Sequence, residues 1–205
     1  MKSQVLPIDS FDSIREALII IQNGGLVAFP TDTVYGLAAD LHSFSAIDRI
    51  YQAKGRETTK AIPVLVYSPD QVTQVASEFN MNAKKLAEKF WPGALTLILP
   101  KQPGLPENLS NSATVAIRMP DYAPVLTVLM HSGLLAVTSA NISGEANPLS
   151  AQDVLDQLGG RIDLILDGGA VTGGVPSTIV DCSVEPVGII RQGAISDEQI
   201  LSALQ

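Results

Sequence analysis

The sequence contains one cysteine and two histidines in 205 residues, and this scarcity removes several chemistries at once. A single thiol cannot form an internal disulfide. Cys182 ends the apolar run Ser177-Thr178-Ile179-Val180-Asp181-Cys182, which favours a buried, inert thiol over a nucleophile. His42 and His131 stand apart with no identifiable partner, so neither is assigned a catalytic part. There is no G-x-x-x-x-G-K-[ST], H-E-x-x-H or G-x-S-x-G motif and no cysteine pair, which sets aside standard P-loop, zinc and serine-hydrolase readings; no dedicated protein metal site is expected. No apolar run approaches the ~18 residues that cross a bilayer. The start, Met1-Lys2-Ser3-Gln4-Val5-Leu6-Pro7, lacks the pattern of a signal peptide, so a cytoplasmic protein is expected.

Positive charge is also short, with 13 Lys and Arg against 21 Asp and Glu, a formal charge of −8. That balance disfavours wrapping a long polyanion, and no stable nucleic-acid complex is expected; a local basic pocket for a small anionic substrate remains compatible with it. At 46% hydrophobic and 17% charged residues the chain can bury a sizeable core, and a single domain spanning residues 1–205 is the expectation.

Ile14, Ala17, Leu18 and Ile21 recur at helical spacing, and with Ser13-x-x-Glu16 as a capping box and Gly24-Gly25 as a stop they predict a helix over 11–23. Leu26 to Phe29, closed by Pro30, reads as a buried strand. The same reasoning gives helices over 45–53, 69–79, 82–90, 123–131 and 197–204, with Ser150 and Asp153 capping one that reaches Leu158. Strands are expected over 62–67, 94–99, 114–118, 134–137, 164–166, 178–182 and 187–191. Interleaved helices and strands mean an α/β fold, and the consecutive late strands require a mixed sheet. In such sheets, sites gather outside strand ends.

Lys54-Gly55-Arg56 and Lys60 place three cations on one connection, where Gly55 would let backbone approach a phosphate chain; a solvated basic turn after a helix is the competing reading. Thr138-Ser139-Ala140-Asn141-Ile142-Ser143-Gly144 opens from a strand and offers hydroxyl and amide groups suited to phosphate oxygens or metal-bound water, or simply a turn with local bonds. Arg118 ends an apolar strand, where a guanidinium needs an anion; a substrate carboxylate and a structural ion pair serve equally. Ser177 and Arg191 likewise sit at strand boundaries.

Seven segments occur in one order: Pro30-Thr31-Asp32-Thr33-Val34-Tyr35-Gly36-Leu37, Lys54-Gly55-Arg56, Trp91-Pro92-Gly93-Ala94-Leu95-Thr96, Val115-Ala116-Ile117-Arg118-Met119-Pro120, Ser139-Ala140-Asn141, Pro176-Ser177-Thr178-Ile179-Val180-Asp181 and Ile189-Ile190-Arg191-Gln192-Gly193. In this order they resemble the YrdC-like L-threonylcarbamoyl-AMP synthases over residues 11–193. The resemblance implies a twisted mixed sheet flanked by helices around a concave central cavity, in the short form without an extra C-terminal domain. It implies that L-threonine, bicarbonate or CO2, and ATP become L-threonylcarbamoyl-AMP and pyrophosphate, with Mg2+ accompanying the nucleotide. The product would pass to a tRNA threonylcarbamoyl transferase acting on adenosine 37. The resemblance further implies a catalytic set of Lys54, Arg56, Ser139 and Asn141. Lys60 would stand near phosphate and Arg191 against ATP, with Thr138 among the substrate-binding residues. Arg118 would hold the threonine carboxylate, helped by Thr31, Thr33 and Ser177, and Tyr35 and Thr96 would form pocket walls. The rival is a non-catalytic nucleotide- or double-stranded-RNA-binding module, against which the acidic net charge argues.

Overall fold

The computed structural model describes residues 2–205. In chain order the elements are β1 (Gln4–Pro7), α1 (Phe11–Gln22), β2 (Val27–Phe29), β3 (Gly36–Asp40), α2 (Phe44–Lys54), β4 (Val64–Leu65), α3 (Val72–Val75), α4 (Met81–Phe90) and β5 (Leu95–Pro100). They continue with β6 (Thr114–Arg118), α5 (Ala123–Ser132), β7 (Leu135–Ser139), α6 (Ala151–Leu158), β8 (Leu164–Asp167), β9 (Thr178–Asp181), β10 (Gly188–Arg191) and α7 (Asp197–Leu204). The strands form one mixed sheet in the order β1-β8-β2-β3-β7-β4-β6-β5-β9-β10. β8 runs parallel to both β1 and β2, and β4–β6 and β5–β9 are also parallel. The remaining pairs are antiparallel.

Strand alternation divides the core into two layers. Ala28, Leu37, Ala39, Val64, Leu97, Ile117, Ala136, Ile165 and Val180 point to one face, where α2, α3, α4, α6 and α7 pack through residues such as Ile47, Ile50, Val75, Leu86, Val154 and Ile200. The intervening residues Val27, Phe29, Ala38, Leu135, Leu164 and Leu166 point to the other face, against Ala17 and Ile21 of α1 and Val125, Val128 and Leu129 of α5. Those two helices cover only part of that face.

Several local expectations need correction. Ser13 does not cap α1: it lies inside the helix and is buried, and Ser10 is the N-cap residue. The predicted helix over 69–79 is a 3-10 turn, Pro69–Gln71, followed by four residues of α3. Ala76 then turns extended and bridges Lys101, so tertiary pairing ends the helix. The strand expected over 62–67 pairs only at Val64–Leu65. β1 and β3 were not anticipated. β3, Gly-Leu-Ala-Ala-Asp, is almost wholly buried between β2 and β7, and its small residues carry little strand signal. The Ser150–Asp153 capping box is present.

Candidate active site

On the half of the sheet that α1 and α5 leave bare, the outward residues of β5, β6 and β9 are Thr96, Ile98, Ala116, Arg118 and Ile179. They floor a cavity of about 340 Å3, walled by Thr31, Thr33, Arg56, Thr138, Ser139, Ser177 and Arg191. Its wall holds three arginines and no carboxylate. A protein of net charge −8 thus keeps a positive concavity suited to an anion.

Arg118, only 8% exposed, is held on three sides. Its Nε donates to Gly93 O at 3.0 Å, Nη1 to Thr33 Oγ1 at 2.8 Å and Nη2 to Asp32 Oδ1 at 2.6 Å. Burial pushes the guanidinium below its usual range and the Asp32 carboxylate opposes that shift. A guanidinium has five N–H donors, so two remain for a ligand. Asp32 lies within the Thr31-Asp32-Thr33 segment yet was not singled out from sequence; the signal was the need of a buried guanidinium for an anion. Thr31 shapes that loop, since its Oγ1 donates to Val34 O at 2.7 Å and accepts from the Thr33 and Val34 amides.

Across the floor, Thr96 Oγ1 and Ser177 Oγ lie 2.7 Å apart, and Arg191 Nη2 donates to Ser177 O at 2.8 Å. The β9–β10 register slips between Ile189 and Arg191, which turns Arg191 inward at the sheet edge. Gly193 permits this approach, because a methyl group there would come within 2.5 Å of the Ser177 carbonyl carbon. Burial, and then the charge of Arg118, push the Arg191 guanidinium down, the signature of two cations facing one space.

Of the two short polar motifs, Arg56, Ser139 and Thr138 reach the cavity. Arg56 donates to Lys60 O and Ala61 O, at 3.3 and 2.9 Å. Lys54 does not line the cavity: it is 1% exposed, and its Nζ donates to Ser139 O, to Asn141 O at 2.6 Å and to Asn141 Oδ1 at 3.2 Å. Burial and the nearby Arg56 charge push this ammonium down to about 7, while the three oxygens favour its charged form. Asn141 is buried behind the wall with it. Lys60 is also outside the cavity wall, exposed and 3.7 Å from Glu57 Oε2. Gly55 ends α2 in the left-handed conformation at φ 57°, so its glycine answers to the helix terminus rather than to a ligand.

Tyr35, expected as a wall residue, is fully buried and faces away; its hydroxyl donates to Gly169 O at 2.7 Å and ties the Thr31–Gly36 loop to the end of β8. Cys182 is buried, and burial raises its thiol to about 12. Among the described residues, no group of three or more His, Cys, Asp or Glu side chains converges to hold a metal ion. Asp32, between the wall residues Thr31 and Thr33, is engaged by Arg118. This donor set does not fit a resident metal. Among the described residues no helix is long and apolar enough to cross a membrane.

The molecule is thus a mixed α/β protein whose bare half-sheet carries an arginine- and hydroxyl-lined pocket. The chain belongs to the Sua5/YciO/YrdC family, whose family model, described as "Telomere recombination", matches residues 19–193. It is 41% identical over 190 residues to a threonylcarbamoyl-AMP synthase of Bacillus subtilis, across 91% of this chain and 55% of that protein. It is 37% identical to a putative threonylcarbamoyl-AMP synthase of Mycobacterium tuberculosis, across 93% of this chain and 88% of the other. The crystal structure of Pyrococcus abyssi Sua5 complexed with L-threonine superposes with a TM-score of 0.93 at 37% identity, across 100% of this chain and 61% of that one. The chain thus spans little more than half the length of the Bacillus relative.

Proposed function

We propose that the chain is a threonylcarbamoyl-AMP synthase, using L-threonine, bicarbonate or CO2, and ATP, whose product a tRNA threonylcarbamoyl transferase consumes in modifying adenosine 37. The observation that carries this reading is the convergence of Arg56, Arg118 and Arg191 with Thr33, Ser139 and Ser177 on one cavity. Relatives that bear the synthase name, and a closely superposing protein with L-threonine bound, support it.

The threonine amine first adds to CO2 and loses a proton, giving a carbamate. A carbamate oxygen then bonds to the α-phosphorus as the bond to pyrophosphate breaks, and the electron pair leaves with the pyrophosphate. The cavity wall holds no carboxylate or histidine to serve as a general base, so the contribution of its residues is positioning and charge neutralisation. The two unspent N–H groups of Arg118 suit the amino-acid carboxylate, with Thr33 and Ser177 beside it. Arg56 and Arg191, which have no carboxylate partner, suit the phosphate chain. Magnesium is read as arriving with the nucleotide, as part of the substrate.

Pyrophosphate release measured with each substrate omitted in turn tests the proposal. Release that requires threonine, bicarbonate and ATP together is expected. ATP binding with no threonine-dependent release would reduce the chain to a nucleotide-binding module.

A further inference from the structure

Lys54 belongs to a basic motif that resembles a phosphate site, yet its ammonium is sealed behind the cavity wall. An ammonium has three protons, and Ser139 O, Asn141 O and Asn141 Oδ1 are three acceptors, so none is left for a ligand. Asn141 is saturated in the same way. Its Oδ1 accepts from Lys54 and from Ser139 Oγ at 2.5 Å, and its Nδ2 donates to Ile142 O and Glu145 O at 3.0 and 2.8 Å. These neighbours fix which end of the amide is oxygen: a flip would aim an NH2 group at an ammonium and an oxygen at two carbonyls. With Oδ1 fixed, the Ser139 hydroxyl spends its one proton on it. What Ser139 turns to the cavity is lone pairs.

We propose that Lys54 and Asn141 are positioning residues that act through Ser139: they hold the Ser139–Asn141 turn against the end of α2 and polarise the Ser139 hydroxyl, so that it accepts rather than donates at the cavity wall. This rests on the synthase reading and deepens it. The Ser139 subsite takes an N–H or O–H group, of the ligand or of a bound water, whereas bare phosphate oxygens fall to Arg56 and Arg191. Of the four residues in the two motifs, only Arg56 and Ser139 then meet ligand atoms directly.

Calorimetric titration with inorganic tripolyphosphate in EDTA tests the polarity. Arg56→Ala should weaken binding by about tenfold. Ser139→Ala should bind within about twofold of wild type, because an acceptor contributes nothing to a bare phosphate. A tenfold loss in Ser139→Ala overturns the proposal. With ATP and magnesium, Lys54→Met and Ser139→Ala should each cost about tenfold and the pair no more than Ser139→Ala alone, since they act in series; additive losses overturn it. Spectroscopy of 15N-lysine in the ligand-free chain needs neither Lys54→Met nor any bound nucleotide. It should give one slowly exchanging ammonium signal at pH 6, absent from Lys54→Arg, whose exchange stays slow when tripolyphosphate is added. Absence of that signal, or fast exchange in the ligand-free chain, rejects the buried latch. If wild type binds neither tripolyphosphate nor ATP, the synthase reading fails and the lysine signal still decides the placement of Lys54.

Discussion

On β8 and β2, the residues facing α1 and α5 are Leu164, Leu166, Val27 and Phe29; on β5 and β6, the residues on the same side of the sheet are Thr96, Ile98, Ala116 and Arg118. Both regions have period-two alternation, and their opposite faces are apolar apart from Asp167 at the end of β8. They differ in what the outward positions could tolerate under a helix. Aliphatic and aromatic side chains gain from being covered, whereas a threonine hydroxyl and a guanidinium lose hydration that an apolar helix face does not replace. The helix layer therefore stops, and the uncovered sheet becomes the floor of a site. Leu65 and Val137 stand at the boundary, packed in the small core cluster and also in the cavity wall.

The most damaging way to break the contrast is to remove the charge of the bare half. On the proposed synthase reading, Arg118→Ala is expected to lower kcat/KM for threonine by at least about 100-fold, since it removes the proposed carboxylate fork and leaves Asp32 without its partner. ATP affinity, by calorimetry, should change far less.

Added bulk should separate the halves by kind of effect. Ala38→Phe overpacks a fully buried position in the covered half and should cost about 1–3 kcal/mol in denaturant unfolding. Ala116→Phe projects into the cavity and should leave unfolding nearly unchanged while abolishing substrate binding. Equal destabilisation by both would mean that the bare half is packed core.

A smaller effect is expected from pH. The Lys54 ammonium is pushed down to about 7, so it begins to lose its proton as pH rises through and beyond that value. A neutral amine has two protons for three oxygens and turns a lone pair toward one of them. ATP binding should therefore weaken severalfold on the alkaline side of about pH 7. Lys54→Arg, charged throughout, should lack that limb; an unchanged limb would assign it to another group. The smallest effect is expected at Cys182. With its thiol buried and raised to about 12, native protein at pH 8 should resist alkylation, and Cys182→Ala should retain full activity.

Much of this architecture was legible in local pattern. α1, α2, α4, α5, α6 and α7 follow from periodicity, with the expected capping box correct for α6 and wrong for α1, and β6 from a short apolar run between turn signals. The mixed sheet followed from consecutive late strands. What was not legible depended on partners: β3 is a strand because β2 and β7 flank it, and the 69–79 helix stops early because Ala76 finds Lys101. At the site, Arg118, Ser177 and Arg191 stood out by residue type at strand ends and Arg56 and Ser139 as parts of short polar motifs, while Thr33 was implied only by the family resemblance; all six share one cavity. Lys54, Asn141, Lys60 and Tyr35 were named with them and stand outside its wall.

The sequence by itself determined the residue chemistry: hydroxyls and arginines at strand ends, apolar residues at alternate positions, and no cysteine or histidine pairing to compete with them. It could not decide which cations face the ligand. Lys54 and Arg56 are two residues apart on one motif, yet the turn of α2 into Gly55 sends one ammonium inward to three oxygens and the other cation to the cavity wall. That choice depends on where the Ser139–Asn141 turn lies, more than eighty residues away, because a buried charge goes where acceptors already stand and an exposed one stays beside solvent.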